Sequence, residues 1–144
     1  MSNLIEWEDL KKKFIVDETY ERERLKNDVE RLLRHCRITG QGRVIITSGK
    51  LTAKEKIGLV ISARFIANKL QKSIPENVTA EEISKYTYIQ KPAVSRRTAE
   101  LVNEAFVFRP EPATYRANAA RIDEFLDTLG FSTVLDGASD PVSN

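Results

Sequence analysis

Arg96 and Arg97 are adjacent arginines in a stretch whose side chains suit contact with nucleic acid. A guanidinium group can donate two parallel hydrogen bonds to O6 and N7 of guanine, or it can clamp a phosphate. Four more side chains of the stretch are of types that can hydrogen-bond to phosphates or base edges: Gln90, Lys91, Ser95 and Asn103. These residue types predict DNA contact, and the alternative is a set of solvated surface side chains.

The spacing of these residues predicts a helix over residues 90–105. Pro92 is tolerated only in the first turn of an α-helix, so the helix begins at about Gln90. Helical periodicity puts four residues on one face, Val94, Thr98, Leu101 and Ala105, and four on the other, Pro92, Arg96, Ala99 and Asn103. The first face is expected to pack and the second to contact a partner, although Glu100 lies where it could pair with Arg96.

A shorter helix is predicted immediately before, over residues 79–86. Thr79 and Glu82 have the spacing of a capping box, in which each side chain accepts a hydrogen bond from the backbone of the other residue. Thr87 and Tyr88 then form a tight turn. Tyr86 and Tyr88 are expected to be partly buried there, since aromatic residues in such turns usually pack. Two helices joined in this way are typical of a helix-turn-helix.

Two β-rich triplets follow, at residues 106–108 and 114–116, around a turn that contains proline, and they predict a hairpin. The order of elements resembles the winged helix-turn-helix superfamily over residues 51–130. Its first helix would be 51–73, its recognition helix 90–105, its wing 106–116 and its closing helix 118–130. The resemblance implies that Arg109 and Arg116, beside the wing tip, contact a minor groove or phosphates.

The expected fold is therefore mainly α with a small β-hairpin. A winged helix-turn-helix domain, residues 49–131, follows an N-terminal helical extension with a short strand, residues 1–48. Residues 132–144 carry little that can pack, and we expect them to be disordered.

The pattern of the extension predicts two helices with a break near residues 16–19, where Asp17 can cap the second helix. Trp7, Leu10 and Phe14 share one face of the first helix. The second would run to about His35, with an apolar seam formed by four residues, Leu25, Val29, Leu32 and Cys36. Two interpretations of the seam stay open, packing on the domain of the same chain or a dimerising coiled coil, because the pattern covers under three heptads.

Residues between the extension and the helix-turn-helix complete the core. Residues 40–42 are expected to end the second helix. Residues 44–46 predict a short buried strand, for which pairing beside the wing is one arrangement. Thr52 and Glu55 form another capping box, which opens an almost wholly apolar core helix. Gly58 within it predicts close approach by another backbone, that of the N-terminal helix.

Charge is distributed unevenly along the chain, whose formal net charge is +2. Residues 1–37 carry a net charge of 0, residues 38–116 of +6 and residues 117–144 of −4. Seven bases lie ahead of the two-helix motif, and some of them are expected to contact the DNA backbone: Arg43, Lys50, Lys54, Lys56, Arg64, Lys69 and Lys72.

Other classes of function find no support in the sequence. Cys36 is the single cysteine, which excludes an internal disulfide and fits a reducing compartment, so a cytoplasmic location is expected. No apolar run approaches the roughly 20 residues of a membrane helix, and no signal-peptide pattern is present. His35 with Cys36 completes neither a metal site nor a nucleophile, and residues 48–50 are only a fragment of a P-loop. We expect no catalytic residues, metal or cofactor.

The sequence thus predicts a sequence-specific DNA-binding protein, a transcriptional regulator that inserts residues 90–105 into the major groove of double-stranded DNA and dimerises through its N-terminal helices. The alternative is a winged-helix module that binds protein and no nucleic acid. Glu100 and Glu104 on the recognition helix favour this alternative, because acids weaken a surface for phosphates.

Overall fold

The computed structural model describes the backbone of residues 2–15 and 18–137, and the surroundings of the side chains in residues 6–15 and 22–129. Within these ranges the chain is mainly helical and has two small antiparallel sheets. The elements are, in order, α1 (Ser2–Phe14), α2 (Glu18–Leu32), β1 (Cys36–Ile38), β2 (Val44–Ile46), α3 (Ala53–Leu70), β3 (Val78–Thr79), α4 (Ala80–Thr87), α5 (Lys91–Asn103), β4 (Val107–Glu111), β5 (Thr114–Ala117), a 3-10 turn (Ala119–Arg121) and α6 (Ile122–Gly137).

Helix α3 lies at the centre of the core. The predicted capping box at its start is confirmed, since Thr52 N donates to Glu55 Oε1 at 2.9 Å and Glu55 N donates to Thr52 Oγ1 at 3.1 Å. Side chains around α3 are fully buried, among them Ile57, Leu59, Val60 and Ile61. Residues from α2, β1 and β2 belong to the same core cluster, so the extension packs against α3.

Gly58 of α3 makes room for an aromatic ring of α6. A Cβ at this position would lie 2.2 Å from Cζ of Phe125, so no larger residue fits without a shift of the ring. The predicted neighbour, a backbone of the N-terminal helix, was wrong. Phe125 lies far along the chain and is held edge-to-face against Phe106 at 5.7 Å between ring centroids, a contact that no local pattern reveals.

The predicted hairpin is confirmed and is part of a three-stranded sheet with the order β3-β5-β4. Strand β3, which the sequence analysis missed, has two residues, and Val78 lies opposite Tyr115 while Thr79 lies opposite Thr114. The segment between α3 and α4 is thereby tied to the strands that follow α5. Thr79 has two roles, since it caps the start of α4 and also pairs with Thr114 of β5.

Residues 36–46 form a second hairpin where the sequence predicted the end of a helix. Helix α2 ends at Leu32, and Cys36 lies in β1, although its spacing continued the apolar seam of the helix. Residues 40–42 are the hairpin turn, with Gly42 at a φ of 96°. The strand at residues 44–46 is confirmed, but it pairs with β1 and not beside the wing. Val44 is buried, whereas Ile45 is 44% exposed.

Helices α4 and α5 are joined by the tight turn that the sequence predicted. Tyr88 caps α4 in the left-handed conformation, with a φ of 63°. This geometry directs Thr87 inward, where its hydroxyl donates to the carbonyl oxygen of Ile83 at 2.7 Å. Tyr86 is half-buried as expected, but Tyr88 is 84% exposed, so the prediction of partial burial was wrong for it.

The two ends of the chain agree with the sequence only in part. Helix α1 ends at Phe14 and α2 begins at Glu18, which matches the predicted break, and the Asp17 cap lies outside the described residues. Helix α6 continues to Gly137, so residues 132–137 are helical where disorder was expected. Residues 138–144, the rest of the expected tail, are outside the described residues. None of the described helices has the length and apolar composition that crossing a membrane requires.

Candidate nucleic-acid interface

Helix α5 packs through one face, as its periodicity predicted. Val94, Thr98 and Leu101 are fully buried, and the Thr98 hydroxyl donates to the carbonyl oxygen of Val94 at 2.8 Å. Ala105 was expected on this face, but it lies beyond the end of the helix, is exposed and has a φ of 65°. The buried face holds α5 in a fixed orientation against the core.

The opposite side of α5 is exposed, and we call it the open face: Pro92, Ser95, Arg96, Ala99 and Asn103. Within the described part of the chain, the Arg96 side chain has no hydrogen bond or ion pair. Gln90 and Lys91 are also exposed at the start of the helix, and Gln90 makes no capping bond with its side chain. Donor groups on this side of α5 therefore point to solvent and are available to a partner.

The acids of α5 lie on a different flank and are paired. Lys54 of α3 reaches Glu104 at 2.8 Å and Glu100 at 4.0 Å, and Arg97 pairs with Glu100 at 3.0 Å. The pair between Arg96 and Glu100, which the sequence left open as the alternative to DNA contact, is not formed, because Glu100 pairs with Arg97 three residues earlier on the same helix. We call Arg97, Glu100, Glu104 and Lys54 the acid flank. Its four charges balance.

The hairpin contributes two arginines with different surroundings. Arg109 is exposed. Arg116 is half-buried and lies opposite Phe108 on the neighbouring strand, with its guanidinium carbon 5.7 Å from the centre of the Phe108 ring. The hairpin is attached directly to α5, since Phe106 N donates to the carbonyl oxygen of Leu101 at 3.0 Å.

Arg64 cannot contact phosphate, although it was among the bases expected to do so. Its side chain is 2% exposed. The guanidinium donates to the carbonyl oxygens of Pro75 at 2.9 Å and Gly42 at 3.1 Å, and to Glu82 Oε2 at 3.0 Å. Because Glu82 also closes the capping box of α4, Arg64 joins α4 to α3 and to the β1–β2 turn.

Arg64 and Lys54 are thus positioning residues that sequence reasoning did not identify. The available signal for Arg64 was an arginine within the otherwise apolar run of α3. Lys69 resembles Lys54, since it forms an ion pair from α3, with Glu76 at 3.7 Å. Arg43, Lys50 and Lys72 are exposed, so the backbone contacts predicted for them stay predictions.

A cluster of charges joins α2 to α6, and we call it the α2–α6 seam: Arg24, Asp28, Arg31, Asp123 and Asp127. Arg24 Nε donates to Asp123 Oδ2 at 3.1 Å, and Arg31 donates to Asp127 Oδ1 at 2.5 Å. Burial, together with the neighbouring Asp123 carboxylate, raises the pKa of Asp28 to about 7. A hydrogen bond from Asp28 lowers the pKa of Asp123. Asp28 therefore keeps its proton to a higher pH than an exposed aspartate does.

The single cysteine and histidine offer little chemistry. Burial raises the pKa of the Cys36 thiol to about 11, so the thiol stays protonated at neutral pH and is a poor nucleophile. The pKa of His35 is lowered, chiefly by burial. In the part of the chain that the structure describes, no three His, Cys, Asp or Glu side chains are grouped to hold a metal ion.

No family model, curated protein or solved structure matches this chain. The interpretation of α5 and the hairpin therefore rests on their own geometry and charge.

Proposed function

We propose that this protein is a winged-helix transcriptional regulator that binds double-stranded DNA sequence-specifically through α5. The order of elements supports the assignment: helix α3, strand β3, the α4–turn–α5 unit and then a hairpin whose second strand pairs with β3. A strand paired across this unit fixes the hairpin beside α5, where both can contact one duplex. In a helix-turn-helix protein the second helix enters the major groove.

The observation that carries the proposal is the separation of charges on α5. Arg96, Ser95 and Asn103 are exposed on the open face, whereas Glu100 and Glu104 are paired on the acid flank. The acids that argued against DNA are therefore compensated by Lys54 and Arg97. Arg96 is the residue for bidentate recognition of guanine, and Asn103 suits a base edge.

Phosphate contacts come from groups that surround the open face. Gln90, Lys91 and Ser95 lie in the first turns of α5, where the free backbone amides and the helix dipole favour an anion. Arg109 and Arg116 extend the positive charge to the hairpin. Arg97 contributes to the local potential while it stays bound to Glu100.

The test is selection of bound fragments from a pool of genomic DNA at low and moderate salt, with Arg96→Ala beside the wild type. We expect the wild type to enrich particular fragments, and we expect Arg96→Ala to weaken binding to them by about tenfold or more, because a bidentate contact contributes ~1–3 kcal/mol of discrimination. Binding should also fall steeply as salt increases.

Arg34→Ala is the matched control. Arg34 is an exposed arginine in the turn after α2, so its removal changes the net charge equally without altering α5. Equal losses in the two variants, or wild-type binding that does not respond to salt, would contradict recognition by the open face.

The second candidate is a module that binds protein. Two exposed aromatic residues favour it, Tyr88 at 84% in the α4–α5 turn and Phe108 at 44% on the hairpin, since aromatic side chains are enriched in protein interfaces. No enrichment of DNA by a folded wild type, together with a partner that Phe108→Ser fails to capture, would favour this function over DNA binding.

A further inference from the structure

Helix α1 exposes an apolar stripe that nothing in the described chain covers. Trp7 is 69% exposed, Leu10 56% and Phe14 87%. The three residues recur at intervals of three and four, so they lie on one side of the helix. We call these residues the α1 stripe.

A helix of this kind needs a partner in water. Helix α1 has 13 residues, a length at which isolated helices are marginal because nucleation is costly and few hydrogen bonds follow it. Most helical stability in proteins comes from the packing of an apolar face. The α1 stripe therefore marks the face on which that packing occurs.

The charges beside the stripe indicate what the partner is. Glu6 and Lys13 lie on one flank, and Glu8 and Lys11 lie on the other. Each acid–base pair is centred on the same point, between Asp9 and Leu10. A second copy of α1 running antiparallel would thus place acid opposite base on both flanks in a single register, and parallel copies would place like charges together.

A lipid surface fits α1 less well. Its acids, Glu6, Glu8 and Asp9, balance its bases, Lys11, Lys12 and Lys13. Helices that lie on anionic membranes carry an excess of lysine and arginine on their polar face. With no net charge, α1 gains nothing from anionic lipids.

We propose that α1 is a dimerisation helix that pairs antiparallel with α1 of a second copy, stripe against stripe. Glu6 of one chain then faces Lys13 of the partner subunit on each side of a two-fold axis. Such an interface is isologous, so it closes at the dimer. The pairing does not use α5 or the hairpin, so it can be tested in the absence of DNA.

The first measurement uses Trp7, which is the only tryptophan of the chain. Its fluorescence therefore reports on α1 alone. We expect the emission of the full-length protein to shift to shorter wavelength as concentration increases, in step with dimer formation in sedimentation equilibrium. A protein that stays monomeric, with the emission of a solvated tryptophan throughout, would overturn the proposal.

Charge reversal tests the antiparallel register. Glu6→Lys gives a chain with two lysines on one flank, and Lys13→Glu gives a chain with two glutamates there. Each variant alone should dimerise about tenfold more weakly, because both copies of the pair between residues 6 and 13 become repulsive. An equimolar mixture should recover dimers of mixed composition, since every pair on that flank is then attractive. Lys12→Glu, on the back of α1, is the matched control and should dimerise like the wild type.

Other occupants of the α1 stripe give different results. The α1 stripe could instead dock on its own chain between α2 and α3, beside the exposed Leu33 and Leu70. In that case the mixture of the two charge variants would not recover dimers, and the antiparallel pairing would be overturned. A blue shift of Trp7 on anionic phosphatidylglycerol vesicles, without self-association, also overturns it. Trp7→Ser removes the largest side chain of the stripe and should leave a monomer with the circular dichroism of a folded chain.

Discussion

The α2–α6 seam and the open face of α5 use the same kinds of residue in opposite ways. In the seam, Arg24 and Arg31 are bound to Asp123 and Asp127, and a buried Asp28 lies between them. On the open face, Arg96 has no such partner in the described chain. Arginine donors that are engaged across helices hold the structure, whereas donors left in solvent are available for recognition.

The same contrast exists between an arginine of α3 and an arginine of α5. Arg64 is buried and donates three hydrogen bonds, one of them to Glu82 at the start of α4. Arg96, on α5, donates no hydrogen bond to any residue that the structure describes. The presence of arginine therefore does not distinguish a structural site from a binding site. What distinguishes them is how many of the arginine's donor groups are hydrogen-bonded within the protein.

Arg64→Ala should have the largest effect and would test this contrast most severely. The substitution removes the positive charge that pairs with Glu82 and the Arg64 donors to two carbonyl oxygens. Removal of one partner from a buried pair typically destabilises a protein by ~3–5 kcal/mol. Urea denaturation followed by circular dichroism measures the loss.

Arg96→Ala serves as the comparison in the same experiment. Because the Arg96 side chain is exposed, its removal should change the free energy of unfolding by less than ~0.5 kcal/mol. Similar losses of stability in the two variants would refute the distinction between engaged and open arginines.

Local signals were sufficient to predict much of the fold. The capping boxes at Thr52 and Thr79 placed the starts of α3 and α4 correctly, because a cap involves residues only three apart. Pro92 did the same for α5. Periodicity identified the buried face of α5, Val94, Thr98 and Leu101.

Features that depend on residues far apart in the chain could not be predicted from local sequence patterns. Strand β3 is two residues long and is defined by its partner β5, so it has no pattern of its own. Cys36 kept the helical spacing of α2 but lies in β1, because strand pairing with β2 overrides that spacing. The pairing of Glu104 with Lys54 depends on the position of α3, so no pattern within α5 reveals it.

Asp28→Asn tests how the α2–α6 seam makes the stability of the protein depend on pH. Burial raises the pKa of Asp28 from 3.8 to about 7, so between these values the folded chain holds more protons here than the unfolded chain. The free energy of unfolding must therefore decrease as pH rises through this window, by up to ~1.4 kcal/mol per pH unit for one proton.

The asparagine carries no titrating proton, and its amide can donate to Asp123 at every pH. We expect the variant to lose this component of the pH dependence and to be more stable than the wild type above pH 7. Thermal unfolding from pH 5 to pH 8 checks the prediction. An unchanged pH profile would mean that Asp28 does not hold a proton in this pH range.

Lys54→Ala should have only a small effect on stability, and it tests the role of the acid flank in DNA binding. Its ion pairs with Glu100 and Glu104 are partly exposed, and such pairs contribute ~0.2–1 kcal/mol. DNA affinity should nevertheless fall, because Glu104 at the end of α5 loses its basic partner, while Glu100 keeps Arg97. Lys69→Ala removes a comparable pair from α3 and is the control for both measurements.

A second variant separates compensation from direct contact. If Lys54 acts by neutralising the acid flank, then Lys54→Ala combined with Glu104→Gln, which keeps the charges of the flank balanced, should bind DNA as well as the wild type does. If this double variant binds as weakly as Lys54→Ala, Lys54 itself contacts phosphate and belongs with the residues that bind DNA. Competition binding on one enriched fragment at two salt concentrations distinguishes these results, since a lost phosphate contact also lowers the dependence on salt.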